Sequence, residues 1–350
     1  MPPVAPVRVG VLLDFPQADG GAATEAAVRR GIAEVSASGR LDREIELVVR
    51  PVAGLPMGSE HDVVTGFREL AGAGCVLVVG PSISDNALIT TPIGDAIGLV
   101  TINYTGGERT RGHYGFHYQV GSLEEEPVVL AGRLVERGAA RPAVVHDRSP
   151  VGRRYAECFD DAAAALDLEI AARHAVSPLV EDAAAPVSRL LESGPDSIVY
   201  LGLGMSARPV ALALTGAKWT APVLANSALM FGYARPEWRD GWAGWEYLDA
   251  IADDNERRQQ LAAQDPALGA APVPCALVDI GRLAGEAIAR TDHLTRDGIR
   301  DALERVKRLP AACGYEGTTM GFGVYDHGAL AGEFLVLREW RDGRTIQISR

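Results

Sequence analysis

The residues of this 350-residue chain best suited to metal ligation or nucleophilic chemistry are seven histidines and four cysteines. Cys75, Cys158, Cys275 and Cys313 stand far apart, and none belongs to a CxxC pair. Metal centres need clustered Cys or His, so this spacing argues against one. Cys75 and Cys275 lie in apolar runs and read as small core residues. His113 and His117 are four apart, a spacing that could place two imidazoles on one helix face. The Tyr114-Gly115-Phe116 between them favours instead a turn entering a strand. Asp14 follows the first apolar run and could serve as a base, but on position alone. No G-x-G-x-x-G follows that run, and no P-loop or G-x-S-x-G elbow occurs. An enzyme on a doubly wound fold stays open as an alternative, with no complete constellation behind it.

The elements that would position any site alternate along the first half of the chain. Residues 7–13 read as a buried strand, and residues 20–37 as a helix with Val28, Ile32 and Val35 at helical spacing. Strand-like 44–52, helical 59–73, strand-like 75–80, helical 85–97 and strand-like 99–104 follow. Ser59 is a candidate N-cap, with Asp62 adding charge near the helix dipole. Short apolar strands separated by helices predict a parallel sheet covered on both faces. After a short strand at 116–120 a second cycle begins. Helices at 123–137, 152–166, 183–192 and 207–215 alternate with strands at 142–146, 168–174, 197–202 and 222–225. The remainder starts no third cycle. Helices are expected at 254–263, 275–289 and 295–308, with Thr295 a candidate N-cap. Strands follow at 322–325, 333–340 and 345–348. A closing block of this kind must pack onto existing lobes, which predicts more than one passage between them.

In open parallel sheets ligands bind beyond the carboxyl ends of the strands. The loops there are readable. Pro81-Ser82-Ile83-Ser84-Asp85 follows one strand and opens a helix. Its hydroxyls and N–H groups could hold a carboxylate, or Ser84 could be the N-cap, or both. Asn103-Tyr104-Thr105-Gly106-Gly107 follows the next. Its glycines permit close backbone approach, and Thr105 can donate. Phe15 and Gln17, after the first strand, could close the other side. Aromatics make up only 6% of the chain, yet Phe231, Tyr233, Trp238, Trp242, Trp245 and Tyr247 crowd one stretch beside Met230. They read equally as a shelf for a bulky apolar ligand or as a structural plug.

The bulk properties exclude other classes. A formal net charge of -12 and the lack of any Lys/Arg-rich block argue against nucleic acid and anionic membrane surfaces. No apolar run is long enough for a bilayer span, so no direct membrane insertion is expected. The amino terminus lacks the basic and apolar regions of a signal peptide. That leaves a cytoplasmic chain, or a periplasmic or extracellular one whose signal was removed. No cofactor motif is found.

Taken in order, VRVGVLLDF, VLVVGPSIS, GLVTINYTGGERTRG, AVVHDRSPVGRRYAECF, IVYLGLG, PVLANSAL and MGFGVYDHGALAGEFLVLREW carry a resemblance. The chain resembles the type I periplasmic solute-binding proteins, in particular the leucine/isoleucine/valine-binding branch that serves ABC transporters. The resemblance implies an α/β fold of two Rossmann-like lobes with parallel sheets, joined by three crossovers. Lobe one would be residues 1–120 plus 250–332, and lobe two 121–249 plus 333–350. It implies a receptor that closes on a small-molecule ligand, with no catalysis, no metal and no cofactor. The partner would be a membrane permease or, for a cytoplasmic sensor of the same fold, a regulatory protein. By position, Ser84, Thr105 and Gly107 take the places that grip a ligand carboxylate, with Asp85, Tyr104 and Gly106 beside them. On lobe two, Val151 and Gly204 replace aromatic residues. Ser227, next to Asn226, replaces the acid that meets the ligand's ammonium. A buried ammonium without a carboxylate partner is costly. The expected ligand is therefore a carboxylate or amide with a bulky apolar or aromatic part, contacting Trp245, rather than a free amino acid.

Overall fold

A computed structural model describes residues 5–17, 19–231 and 233–348 of the chain. Two compact units are present: Met1–Val120 with Ile251–Phe334, and Gly121–Ala250 with Leu335–Arg350. The chain therefore passes between them three times, after Val120, Ala250 and Phe334.

The first unit opens as β1 (Val7–Leu13), α1 (Ala22–Ala37), β2 (Ile45–Pro51), α2 (Glu60–Gly72), β3 (Leu77–Val79), α3 (Ser84–Ile97), β4 (Val100–Asn103) and β5 (Gly115–His117). The strands are parallel in the order β2-β1-β3-β4-β5. Only Arg8 of β1 is exposed, as its apolar run requires for a central strand. The Ser59 hydroxyl caps α2 by accepting the Asp62 N–H at 3.1 Å. His117 ends a strand, and no helix spans it and His113. Cys75 is buried, as its apolar run suggested.

The second unit repeats this winding. Its elements are α4 (Glu126–Glu136), β6 (Pro142–Asp147), α5 (Pro150–Ala165), β7 (Ala172–Val176), α6 (Ala184–Leu191), β8 (Ser197–Leu201), α7 (Ala207–Gly216), β9 (Val223–Ala225), α8 (Ala228–Phe231) and β10 (Glu246–Asp249). The parallel order is β7-β6-β8-β9-β10, which is the first sheet with five added to each number. The strand expected at 168–174 forms later, as β7. Leu168 is spent closing α5: its N–H reaches the Ala163 carbonyl at 2.9 Å, while Asp167 turns left-handed at φ 57°.

On its return the chain adds α9 (Glu256–Gln264), α10 (Pro272–Arg290) and α11 (Arg296–Glu304) to the first unit. Thr295 caps α11 by accepting the Gly298 N–H at 3.1 Å. A small antiparallel sheet of β11 (Leu309–Pro310), β12 (Thr319–Met320) and β13 (Leu330–Ala331) follows. No strand forms at 322–325. Gly321 and Gly323 bracket Phe322 there, and the Gly323 N–H turns back to the Asp326 carbonyl at 2.8 Å. Phe322 alone is buried, edge-on to Phe116 with ring centroids 4.8 Å apart. Helices α1 and α10 meet at two glycines. A Cβ on Gly31 would lie 1.9 Å from the Val278 carbonyl oxygen, and one on Gly281 2.1 Å from that of Val28. The tail, β14 (Val336–Arg341) and β15 (Arg344–Gln347), joins the second sheet antiparallel, with β14 on β10. No helix among the described residues is long and apolar enough to cross a membrane.

Candidate functional site

In the first unit the strand order reverses between β1 and β3, the place where doubly wound sheets hold ligands. Asp14 follows β1 and is 1% exposed. Its carboxylate accepts the Ser82 N–H at 2.8 Å, the Ser82 hydroxyl at 2.7 Å, the Ile83 N–H at 3.1 Å and the Asn86 amide at 2.8 Å. Burial pushes its pKa up, and these hydrogen bonds oppose the rise. A resident carboxylate thus already occupies the N–H groups that lead into α3.

Ser84 is not the N-cap of α3. That position falls to Ile83, whose own N–H, with that of Ser82, is satisfied by Asp14. The Ser84 hydroxyl instead accepts the Gly106 N–H at 3.3 Å, joining the loops after β3 and β4. Tyr104 is buried and donates its N–H to the Pro81 carbonyl at 3.1 Å. Burial, then the nearby Asp14 charge, raises its phenol pKa. Thr105 turns inward. Its hydroxyl donates to Asn103 Oδ1 at 3.0 Å and lies 3.2 Å from the Thr110 hydroxyl. Its carbonyl meets His117 Nε2 at 2.9 Å. A carbonyl only accepts, so Nε2 carries the proton. Burial lowers the His117 pKa to about 3, keeping the ring neutral. Gly107 stands close to Ser84, where a Cβ would lie 3.5 Å from the Ser84 hydroxyl. Asp85 is buried at the start of α3. Phe15 is half-buried, and Gln17 accepts the Thr24 hydroxyl at 2.9 Å.

The second unit uses the same device at its own reversal point, between β6 and β8. Asp147 ends β6 and accepts the Leu203 N–H at 2.7 Å and the Ser206 hydroxyl. A Cβ on Gly202 would lie 2.5 Å from Asp147 Oδ2, so glycine is required there. The Ser206 hydroxyl also meets the Tyr200 hydroxyl, which accepts the Gly204 N–H at 3.2 Å. Asn226 pairs with the Gly202 backbone twice, at 3.0 and 2.9 Å. Val151 is buried near the start of α5, which Ser149 caps through the Gly152 N–H at 3.0 Å.

Ser227, read from the sequence as standing in place of an acid, has an acid from α4 against it. Glu126, 0% exposed at the start of α4, accepts the Ser227 N–H and hydroxyl, both at 2.7 Å. It also accepts the Ser122 N–H at 2.7 Å and the Tyr155 hydroxyl at 2.9 Å. The aromatics of this unit are core. Trp242 is 0% and Trp245 7% exposed, packed with Tyr200, Leu229, Met230 and Tyr247. Trp238 packs against that core from its edge. Tyr233 is buried, and the Phe231 side chain lies outside the described residues.

Each serine hydroxyl at these loops is thus tied to a carboxylate or a backbone amide, and none is paired with an imidazole. Among the described residues no group of His, Cys, Asp and Glu could hold a metal ion. The sequence profile described as periplasmic binding protein matches residues 6–333. The chain belongs to the periplasmic binding protein family. Members of that family are solute-binding receptors rather than enzymes. No curated protein matches the chain. Several solved structures share its fold. An ABC transporter substrate-binding protein from Desulfitobacterium hafniense is 18% identical, with 98% of this chain and 100% of that one covered and a TM-score of 0.80. A leucine binding protein from Thermotoga maritima is 15% identical, with 98% of each chain covered and a TM-score of 0.81. A periplasmic binding protein type 1 from Bordetella pertussis is 15% identical, with 98% and 100% covered and a TM-score of 0.83.

For a periplasmic binding protein, the groups that sequence reading missed are Glu126, Asp147 and the tie role of Asp14. Asp14 and Asp147 share a signal: each ends the first strand of its half. Glu126 had none, because the separation of 101 positions from Ser227 hides the pairing.

Proposed function

We propose that this periplasmic binding protein is the receptor of an ABC transporter and binds a small ligand of amino-acid type for a membrane permease. The observation that carries this reading is the arrangement of polar groups at the carboxyl ends of both sheets, hydrogen-bonded in place with no serine–imidazole pair. The candidate ligand groups are Ser84, Tyr104, Gly106 and Gly107 in the first unit, and Asn226, Ser227, Gly204 and Val151 in the second. Two solved relatives support the ligand class by their own descriptions: the Thermotoga protein as leucine binding, and a Desulfitobacterium structure as a complex with Leu. A bulky aromatic ligand drew its support from the tryptophans, and those side chains are committed to the core of the second unit.

Thermal unfolding against a panel of amino acids, carboxylates and amides tests the reading. A ligand at a hundred times its Kd stabilises by about 2.7 kcal/mol. At least one amino acid should therefore raise Tm by several degrees and be recovered unchanged. A panel without any rise, or a compound converted during incubation, would refute the proposal.

A further inference from the structure

Two sets among the buried acids of this protein differ in what meets them. Glu246 and Glu286 each hold two arginines: Arg133 and Arg137 on the first, Arg40 and Arg290 on the second. Asp14, Asp147 and Glu126, beneath the strand-end loops, are met by neutral donors alone. An ionised carboxylate out of water is costly without an opposite charge nearby. Among the described residues, none of these three forms an ion pair.

Glu126 accepts two hydroxyls, where Asp14 and Asp147 accept one each. The hydroxyls of Ser227 and Tyr155 both direct their proton to Glu126 Oε1, at 2.7 and 2.9 Å. A hydroxyl has one proton to give, so each oxygen is left with lone pairs only. The Ser122 N–H meets the same Oε1 and the Ser227 N–H meets Oε2, which holds the carboxylate in register. Gly121 presses against the same pair. A Cβ there would lie 2.3 Å from the Ser227 hydroxyl oxygen and 2.4 Å from Glu126 Oε1. The loop after β9 is therefore wired as an acceptor, backed by a negative charge that has no cation of its own.

We infer that Glu126 is a positioning residue that selects for a protonated amine on the ligand, acting through the Ser227 and Tyr155 hydroxyls. The ammonium donates to oxygens that can only accept, and it supplies the counter-charge that Glu126 lacks. The inference rests on the amino-acid reading above and names the residue that enforces it. It also reverses the exclusion of free amino acids, which rested on Ser227 standing where an acid was needed.

The test uses matched pairs of compounds with and without the amine: L-leucine with 4-methylpentanoate, and L-phenylalanine with 3-phenylpropanoate. Calorimetric affinities are measured on the full chain, on Glu126→Gln and on Ser227→Ala. In the unaltered protein the amine-bearing member of at least one pair should bind about tenfold or more tighter than its partner, the worth of a hydrogen bond to a charged group. Both variants should shrink that ratio towards one, a change that general loosening of the fold would not produce. Glu126→Gln places an amide donor against donors and could unfold the loop, whereas Ser227→Ala removes one hydroxyl and leaves Glu126 three partners. If both members of a pair bind the unaltered protein equally, or Ser227→Ala keeps the full ratio, the role of Glu126 is refuted while the receptor reading stands. If no member of either pair binds, the amino-acid reading falls and takes this inference with it.

Discussion

Burial pushes the Asp147 carboxyl pKa up to about 6, against the opposing hydrogen bonds from Ser206 and Leu203. The sign of the consequence follows from linkage. The folded state disfavours the charged form, so stability from this group is full below about pH 4 and is lost as pH rises towards 6. A rise of about two pKa units corresponds to about 3 kcal/mol. Asp147→Asn can keep the geometry, with its carbonyl accepting from Leu203 and its amide donating to Ser206. The variant should lose that part of the fall. The check is chemical denaturation at pH 4 and pH 7: the stability difference between the two should be smaller in the variant by about 2–3 kcal/mol. An unchanged difference would show that Asp147 does not titrate in this range. Asp14, the counterpart in the first unit, is raised in the same direction, which is why the comparison must be made against the unaltered protein.

Element packing turns on glycine in opposite ways at two helical sites. At Gly281 of α10 an added methyl would meet the backbone of α1, so the helices must part. Gly281→Ala should cost about 2–3 kcal/mol or more. At Gly132 of α4 nothing lies within 4 Å of the added carbon, and Gly132→Ala should stabilise by about 0.5–1 kcal/mol through helix propensity. Urea midpoints of the two variants moving in the same direction would contradict this account. The contrast also shows what a sequence discloses about elements. Local rules were enough for β1, with its apolar run, and for the Ser59 and Thr295 caps. They failed where a distant residue took over a local role. Ser84 reads as a ligand contact, a cap or both, and its cap role is taken by Asp14, 70 positions earlier, which satisfies the groups that lead into α3. The apolar stretch around Phe322 reads as a strand, but flanking glycines leave it one buried ring on Phe116. The run from Trp245 to Tyr247 reads as a ligand shelf or a plug. Glu246–Asp249 is in fact β10, a strand with its aromatics in the core, because it pairs with both β9 and β14.

At the scale of the whole chain, three passages mean that neither unit is a continuous piece of sequence. The second sheet takes its last two strands from residues that follow the entire first unit. Their contribution is specific. The Trp340 indole donates to Asp240 at 2.9 Å, its carbonyl accepts the Gly244 N–H at 2.9 Å, and Tyr247 meets the Thr345 hydroxyl. Arg338, 2% exposed, donates to Thr345 at 2.8 Å. Without this tail β10 becomes an edge strand with an unpaired ladder and an uncovered aromatic core. Ending the chain at Phe334 should therefore loosen the second unit while leaving the sheet of β1 to β5 intact. Hydrogen exchange measured peptide by peptide reads this directly. Protection should fall most at Glu246–Asp249 and the neighbouring Val223–Ala225, and stay near its original level in Val7–Leu13 and Leu77–Val79. Equal loss in both sheets would mean that the two units fold as one cooperative block, and that the division of the chain into separate cores has no energetic counterpart.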